Sequence, residues 1–243
     1  MRRPKAISFD MGYTLLMHAP TGPDLYQRVL AQCGIEVSPE VLAEAMAPAR
    51  DFYIRSTRAG REFEASMEQA LGFWGEYNAL VLEALGVPTD QHRSVGQRIY
   101  TTAWQPENWK LFPEVIPTLQ ALRAQGIRMV VISNFVDTLR AVCELHQVAE
   151  YFDDIIASVA AGAMKPDARI FRVALRRLEL AAEDAWHVGD NYWTDVLGSR
   201  AVGMTPVLVD REGAVPHPDC LTVRSLDELV EMVRRAGDSE AAA

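Results

Sequence analysis

The stretch Lys5-Ala6-Ile7-Ser8-Phe9-Asp10-Met11-Gly12-Tyr13-Thr14-Leu15-Leu16 decides how the chain is read. A short apolar run ends in one carboxylate and then breaks at a glycine. This is the pattern of a buried parallel strand with Asp10 at its C-terminal tip, the edge where open α/β sheets build ligand sites. Asp10 is therefore expected to act as a nucleophile or a metal ligand.

Outward from this strand the character changes twice. Residues 20–105 carry helical periodicity and no strand signal. Leu25, Val29 and Cys33 recur at i, i+4 and i+8, and Ser38-Pro39 is an N-cap and first-turn pair opening a helix that runs through Phe52. A helix rich in aromatics, with Phe63, Phe73, Trp74 and Tyr77 in its neighbourhood, stops at Gly86-Val87-Pro88, and another covers residues 91–104. From Pro106 onward, strands expected at 127–132, 154–158, 185–188 and 205–209 alternate with helices, the last over 226–235, followed by a frayed tail. Repeated βα units imply an α/β fold with a mostly parallel sheet covered on both faces, interrupted by one helical insertion.

At 243 residues the chain is long enough for one large core with an insertion. A net charge of -9 offers no basic excess for duplex nucleic acid, so a small-molecule partner is expected. Cys33, Cys143 and Cys220 are odd in number and lack metal-like spacing, which fits reduced thiols in a cytoplasmic protein. Asp10 interrupts the N-terminal apolar stretch too early for a signal-peptide core, and no stretch approaches a membrane span.

Four polar clusters fall at or near expected strand ends: Asp10, Ser133-Asn134, Lys165, and Gly189-Asp190-Asn191 with Asp195. Singly each has a bland reading, as a helix N-cap, a turn or a solvated loop lysine. Together their chemistry is complementary. Carboxylates suit a hard cation such as Mg²⁺, a hydroxyl and a lysine suit phosphate oxygens, and Asp10 can attack phosphorus. In this order the set resembles the haloacid dehalogenase superfamily of aspartate-nucleophile hydrolases. The resemblance rests on Phe9-Asp10-Met11-Gly12-Tyr13-Thr14-Leu15, Val131-Ile132-Ser133-Asn134-Phe135, Lys165-Pro166-Asp167 and the segment His187 to Asp195. It implies a Rossmann-like core, residues 1–17 and 106–243, with an inserted helical cap at 18–105. It also implies Asp10 as nucleophile, Ser133 and Asn134 at the substrate with Lys165 holding its charge, and Mg²⁺ bound by Asp10, the Gly12 carbonyl and Asp190, with Asp195 as a further ligand or a group supporting the ligands from behind. The expected activity is Mg²⁺-dependent hydrolysis of a small phosphorylated metabolite through an aspartyl-phosphate.

Gly12 departs from that pattern. Phosphatases of the superfamily usually carry a second Asp there, as acid and then base, and general acid-base help is worth ~10²–10⁴-fold in rate. A slow or selective hydrolase favouring activated leaving groups is the expectation, since Tyr13 is a poor base at neutral pH. Gly12-Tyr13-Thr14 also approaches the motif of 2-haloacid dehalogenases, which use no metal, but the paired Asp190 and Asp195 would burden such an anion-binding site. A catalytically impaired phosphate-binding protein is the third reading. A receiver domain would be about half this length. There is no Gly-x-Ser-x-Gly elbow, Walker motif or Gly-x-Gly-x-x-Gly fingerprint. The five histidines show no ligand spacing, and His187 is read as a packing residue or one that supports the site from behind, rather than a catalyst. Arg50, Arg55, Arg58 and Arg61 are expected to form a solvated face paired with Asp51, Glu62 and Glu64 rather than to reach an anionic substrate.

Overall fold

A computed structural model describes residues 2–241. Six strands form one sheet in the order β5-β4-β1-β6-β7-β8, parallel at every pairing: β1 (Ala6–Phe9), β4 (Arg128–Ser133), β5 (Asp154–Ala157), β6 (Ala185–Gly189), β7 (Thr205–Val209) and β8 (Leu221–Val223). The parallel α/β class read from the chain is thus the observed one, with β1 near the centre. Both faces of β1 are buried, and its alternation sorts side chains to opposite layers. Ile7 and Phe9 pack with Met129, Val131, Leu119 and Leu229, whereas Ala6 packs with Val130, Ile132 and Phe171. Each fully buried aliphatic or aromatic side chain in these layers contributes roughly 1.5–3 kcal/mol.

Between β2 (Leu16–His18) and β3 (Trp109–Leu111) the regular structure is all helical, joined by short loops: α1 (Gly22–Gln32), α2 (Pro39–Ala45), α3 (Ala47–Arg58), α4 (Met67–Ala84) and α5 (Thr89–Ala103). These helices bury their own cluster of Leu25, Val29, Leu30, Leu42, Val81 and Ile99, the i, i+4 face visible in the sequence. The single helix expected from Pro39 to Phe52 is two. Pro48 sits in the first turn of α3, where its missing N–H is tolerated, and would have broken a continuous ladder. The antiparallel ribbon β2–β3, with Leu16 opposite Leu111 and His18 opposite Trp109, was not expected, because three-residue strands are too short to show a period. It joins the start and end of the helical segment. β8 escaped for the same reason.

After β3 come α6 (Val115–Ala124), α7 (Leu139–Leu145), α8 (Ser158–Ala161), α9 (Ala168–Leu178), α10 (Leu197–Ala201) and α11 (Leu226–Ala241). Helix α11 continues past the expected fraying point at 237; residues 242 and 243 lie outside the described residues. No helix among the described residues is long and apolar enough to cross a membrane.

Candidate active site

Asp10 leaves the end of β1, and its N–H donates to the Val188 carbonyl of β6 at 2.8 Å, which fixes it between the two central strands. Ser133, the last residue of β4, donates from Oγ to Asp10 Oδ1 at 2.9 Å. Lys165 reaches the same oxygen from the loop after α8, with Nζ at 2.6 Å from Asp10 Oδ1 and 2.5 Å from Asp195 Oδ1. Residues 155 positions apart therefore meet because parallel strands present their C-terminal ends at one edge. Thr14 adds longer contacts to Asp10 Oδ2 at 3.4 Å and Asp190 Oδ1 at 3.3 Å.

Lys165 is 1 % exposed. Burial alone would lower the pKa of its ammonium; the charges of Asp10 and Asp195 outweigh that and raise it. Asp195 is held the opposite way, its burial outweighed by Lys165 and by the His187 hydrogen bond, so its carboxyl lies below the usual range. His187 Nε2 stands 3.1 Å from Asp195 Oδ1 while Nδ1 lies 2.7 Å from Ser8 Oγ. A neutral ring donating from Nε2 and accepting from Ser8 at Nδ1 satisfies both contacts, and burial lowers the His187 pKa in keeping with this. Of the two roles expected for His187, the supporting one is seen: it orients Asp195.

Asp195 lies on a π-helical turn, Tyr192–Val196, which begins where Asn191 Oδ1 accepts the N–H groups of Trp193 and Thr194. The turn brings Asp195 back onto β6, so close that a Cβ on Gly189 would lie 2.3 Å from Asp195 Cγ. Gly189 is needed for this approach, a role its place in a polar cluster did not reveal. Gly189→Ala is expected to lose ~1–3 kcal/mol by overpacking and to push Asp195 off Lys165, measurable by urea denaturation. Unchanged stability would show that Asp195 moves freely.

Asp10, Asp190 and Asp195 present carboxylate oxygens that all lie within 4.8 Å of one another. Burial, then the charges of Asp10 and Asp195, raise the Asp190 pKa well above its ordinary value. Three carboxylates against one ammonium and a neutral imidazole leave an excess of negative charge at the sheet edge. That donor set fits a hard divalent cation. Gly12 lines the same cavity but adds no side chain, and a Cβ there would meet Trp109 only at 3.8 Å, an ordinary contact, so packing does not demand glycine.

The Asn134 side chain lines the cavity and is also engaged with the main chain of Lys165, accepting its N–H at 2.7 Å and donating to its carbonyl at 3.0 Å, so it positions that loop. The arginines do form surface contacts, Arg61 with Glu76 at 2.8 Å and Arg58 over the Trp193 ring, while Glu62 pairs with Arg169. Arg50 alone of the four lines the cavity, and Glu64 pairs with none of them. Instead Glu64 points inward, 4 % exposed, accepting from Trp74 Nε1 at 2.9 Å. Burial raises its pKa from 4.5 to about 7. A folded-state pKa above the unfolded one means stability present at low pH and lost as pH rises through the folded value. Relative to Glu64→Gln, the wild type should lose roughly 3 kcal/mol between pH 4.5 and 7. Denaturation at pH 4.5 and 8 checks this, and a constant difference would refute it.

A family model for haloacid dehalogenase-like hydrolases matches residues 4–203. The human haloacid dehalogenase-like hydrolase domain-containing protein 3 is 32% identical over 208 residues, 84% of this chain and 81% of that protein. A phosphoserine phosphatase of Thermus thermophilus is 29% identical over 230 residues, covering 85% of this chain and 89% of its own. Among solved structures, the HAD-hydrolase YfnB of Bacillus subtilis, bound to magnesium, superposes with a TM-score of 0.81 at 17% identity over 96% of this chain and 99% of that one, which speaks for the fold. Dehalogenases share the fold as well, so architecture by itself does not choose between phosphorus and carbon chemistry. With the family model spanning most of the sequence and the four polar clusters gathered at one sheet edge, the chain belongs to the haloacid dehalogenase-like hydrolases.

Proposed function

We propose that this hydrolase is a Mg²⁺-dependent phosphatase for a small phosphorylated metabolite, acting through an aspartyl-phosphate on Asp10. The observation that carries the reading is the meeting of Asp10, Asp190 and Asp195 within 4.8 Å beside a single buried lysine. A metal-free site for displacing halide from carbon has no use for two further carboxylates near its nucleophile, whose repulsion would work against an anionic substrate. Phosphatases among the sequence relatives support the same choice.

Asp10, Asp190 and Asp195, with the Gly12 carbonyl, would hold the cation, which when bound neutralises the carboxylates and phosphoryl charge. Asp10 attacks phosphorus. Its backbone anchor to Val188 and the hydrogen bond from Ser133 hold the carboxylate in place before substrate arrives. In the resting site Ser133 and Lys165 both point at Asp10 Oδ1, so both can shift their donors to phosphoryl oxygens as the transferring group seats. His187 and Asn191, through its N–H to Asp195 Oδ2 at 2.9 Å, keep Asp195 from following Lys165. In this reading residues 18–105 form a cap over the core of residues 1–17 and 106–243. The cavity of about 720 Å³ at their junction takes residues from both and suits a small substrate.

The test is a panel of phosphomonoesters and 2-haloacids, each with Mg²⁺ and after chelation. Phosphate release that needs the metal is expected. Halide release independent of metal would establish the dehalogenase reading instead, and metal binding without turnover of either class would leave a phosphate-binding protein.

A further inference from the structure

A phosphatase site without a carboxyl at position 12 lacks a proton donor for its leaving group, and the cavity holds few groups able to stand in. Tyr13 is half exposed, with its pKa raised by burial and then by Asp190, so it gives up a proton reluctantly. His18 packs at a tilt against Trp109 with ring centroids 3.8 Å apart, and burial lowers its pKa to about 4, so at neutral pH it holds no acidic proton. Glu64 is different in kind.

Glu64 lines the same cavity as Asp10 and Lys165 but belongs to the helical segment. Its placement is fastened to the catalytic loop: the N–H groups of Phe63 and Glu64 donate to Met164 Sδ at 3.0 and 3.2 Å, and Met164 is the residue before Lys165. Trp74 Nε1 donates to Oε1, and no other hydrogen bond to the carboxyl forms among the described residues. A carboxyl on a cavity wall, withdrawn from water and with one hydrogen-bond donor, costs the fold energy. Tyr100, also on the cavity wall, leaves a buried hydroxyl without a protein partner, so this wall offers polar capacity to whatever fills the cavity, water or substrate.

We infer that Glu64 is the proton donor and acceptor of the reaction, supplied from the helical segment in place of the carboxyl missing at Gly12. The inference rests on the phosphatase reading above. In the first step an Asp10 oxygen bonds to phosphorus, the bond from phosphorus to the leaving oxygen breaks, and that oxygen takes the Glu64 proton, giving free alcohol and a Glu64 carboxylate. In the second, water adds to phosphorus and yields a proton to Glu64, the Asp10–phosphorus bond breaks, and inorganic phosphate leaves with both carboxyl groups restored. The groups facing Glu64 suit this cycle. Burial and the Asp10 charge favour its protonated form, Lys165 and the Trp74 hydrogen bond favour the ionised one, and the balance sits near neutrality. Tyr53 and Tyr100 stay neutral, Tyr100 pushed up to about 12 by burial and the neighbouring Glu64 charge.

The experiment compares wild type with Glu64→Gln, whose amide oxygen keeps the Trp74 bond, on Mg²⁺-loaded protein with alkyl and aryl phosphates. The expected result is a loss of ~10²-fold or more in kcat/KM for alkyl phosphates with aryl phosphates nearly unchanged. With aryl substrates the variant should also accumulate phosphorylated protein, seen by intact mass, because water lacks its base. Wild-type kcat/KM for alkyl phosphates should fall above a pH near 7, and Trp74→Phe, which removes the donor favouring the ionised carboxyl, should move that fall upward. Equal losses on both substrate classes, or none, or a Trp74→Phe profile that does not move, would overturn the role of Glu64 while leaving Mg²⁺-dependent turnover intact. Absence of phosphatase turnover in wild type would instead overturn the phosphatase reading and this inference with it.

Discussion

Asp10→Asn is expected to lower phosphatase turnover by on the order of 10⁴–10⁶-fold, as loss of a covalent nucleophile does elsewhere. The substitution is nearly isosteric, and an amide oxygen at the Oδ1 position still accepts from Ser133 and Lys165, so the fold should survive. What disappears is nucleophilicity, because an amide oxygen does not form a competent acyl-phosphate. Two measurements check the claim together. Wild type quenched during turnover should carry one phosphoryl group by intact mass, and the variant none, with matching circular dichroism spectra. Retained turnover would rule out covalent catalysis through Asp10, whatever the metal dependence.

The second large effect concerns stability. Lys165→Met keeps the length of the side chain and removes the one ammonium between Asp10 and Asp195, both within 2.6 Å of it. Breaking a buried ion pair from one side costs ~3–5 kcal/mol, because the partner charge stays buried without compensation. The sign of the pH dependence follows. Without Lys165 the Asp195 carboxyl, now held low, rises toward or above its ordinary range, since burial is then opposed only by the hydrogen bonds from His187 and the Asn191 N–H. A depressed folded-state pKa means the wild type has that stability above the unfolded carboxyl pKa and loses it only in strong acid. The variant lacks it, so the gap between the two proteins should be widest at neutral pH and narrow as pH falls. Urea denaturation of metal-free protein at pH 7.5 and at about pH 2.5, below the ordinary Asp value of 3.8 where wild type has begun to lose this stability, tests both size and sign; a gap that does not depend on pH would mean that packing alone explains the loss. Phosphatase activity should fall to background as well, since the charge that would steady the phosphoryl group is gone.

Gly12 takes on a narrower meaning beside Glu64. Read alone, its lack of a carboxyl points to a slow enzyme restricted to activated leaving groups. If Glu64 supplies the proton, wild type tolerates poor leaving groups, and the restriction surfaces only in Glu64→Gln. The helical segment then contributes chemistry, in addition to enclosing the cavity.

Much of the site was legible in the linear chain because its parts sit at strand ends, and strand ends are marked locally. The apolar run before Asp10, the run before Ser133-Asn134 and the run before Gly189-Asp190 each declare a buried strand, and parallel connections put their tips on one edge. The helical segment was equally plain from its i, i+4 spacing. Side-chain partnership was not legible, because it depends on which way a residue faces after the layers close. Asn134 turned to the Lys165 backbone, and Gly189 proved necessary only because a π-helical turn carries Asp195 to within 2.3 Å of where its Cβ would be. Glu64 sits in the sequence beside Arg61 and Glu62 and reads as one more surface charge. Only the docking of its backbone on Met164 turns it away from the arginines and into the cavity. The sequence by itself determined the parallel sheet short of its edge strand β8, the strand-tip carboxylates and the family. The tertiary structure decided which charges are buried together, since burial and distance across 100 or more residues are properties of the packed chain and leave no local period to read.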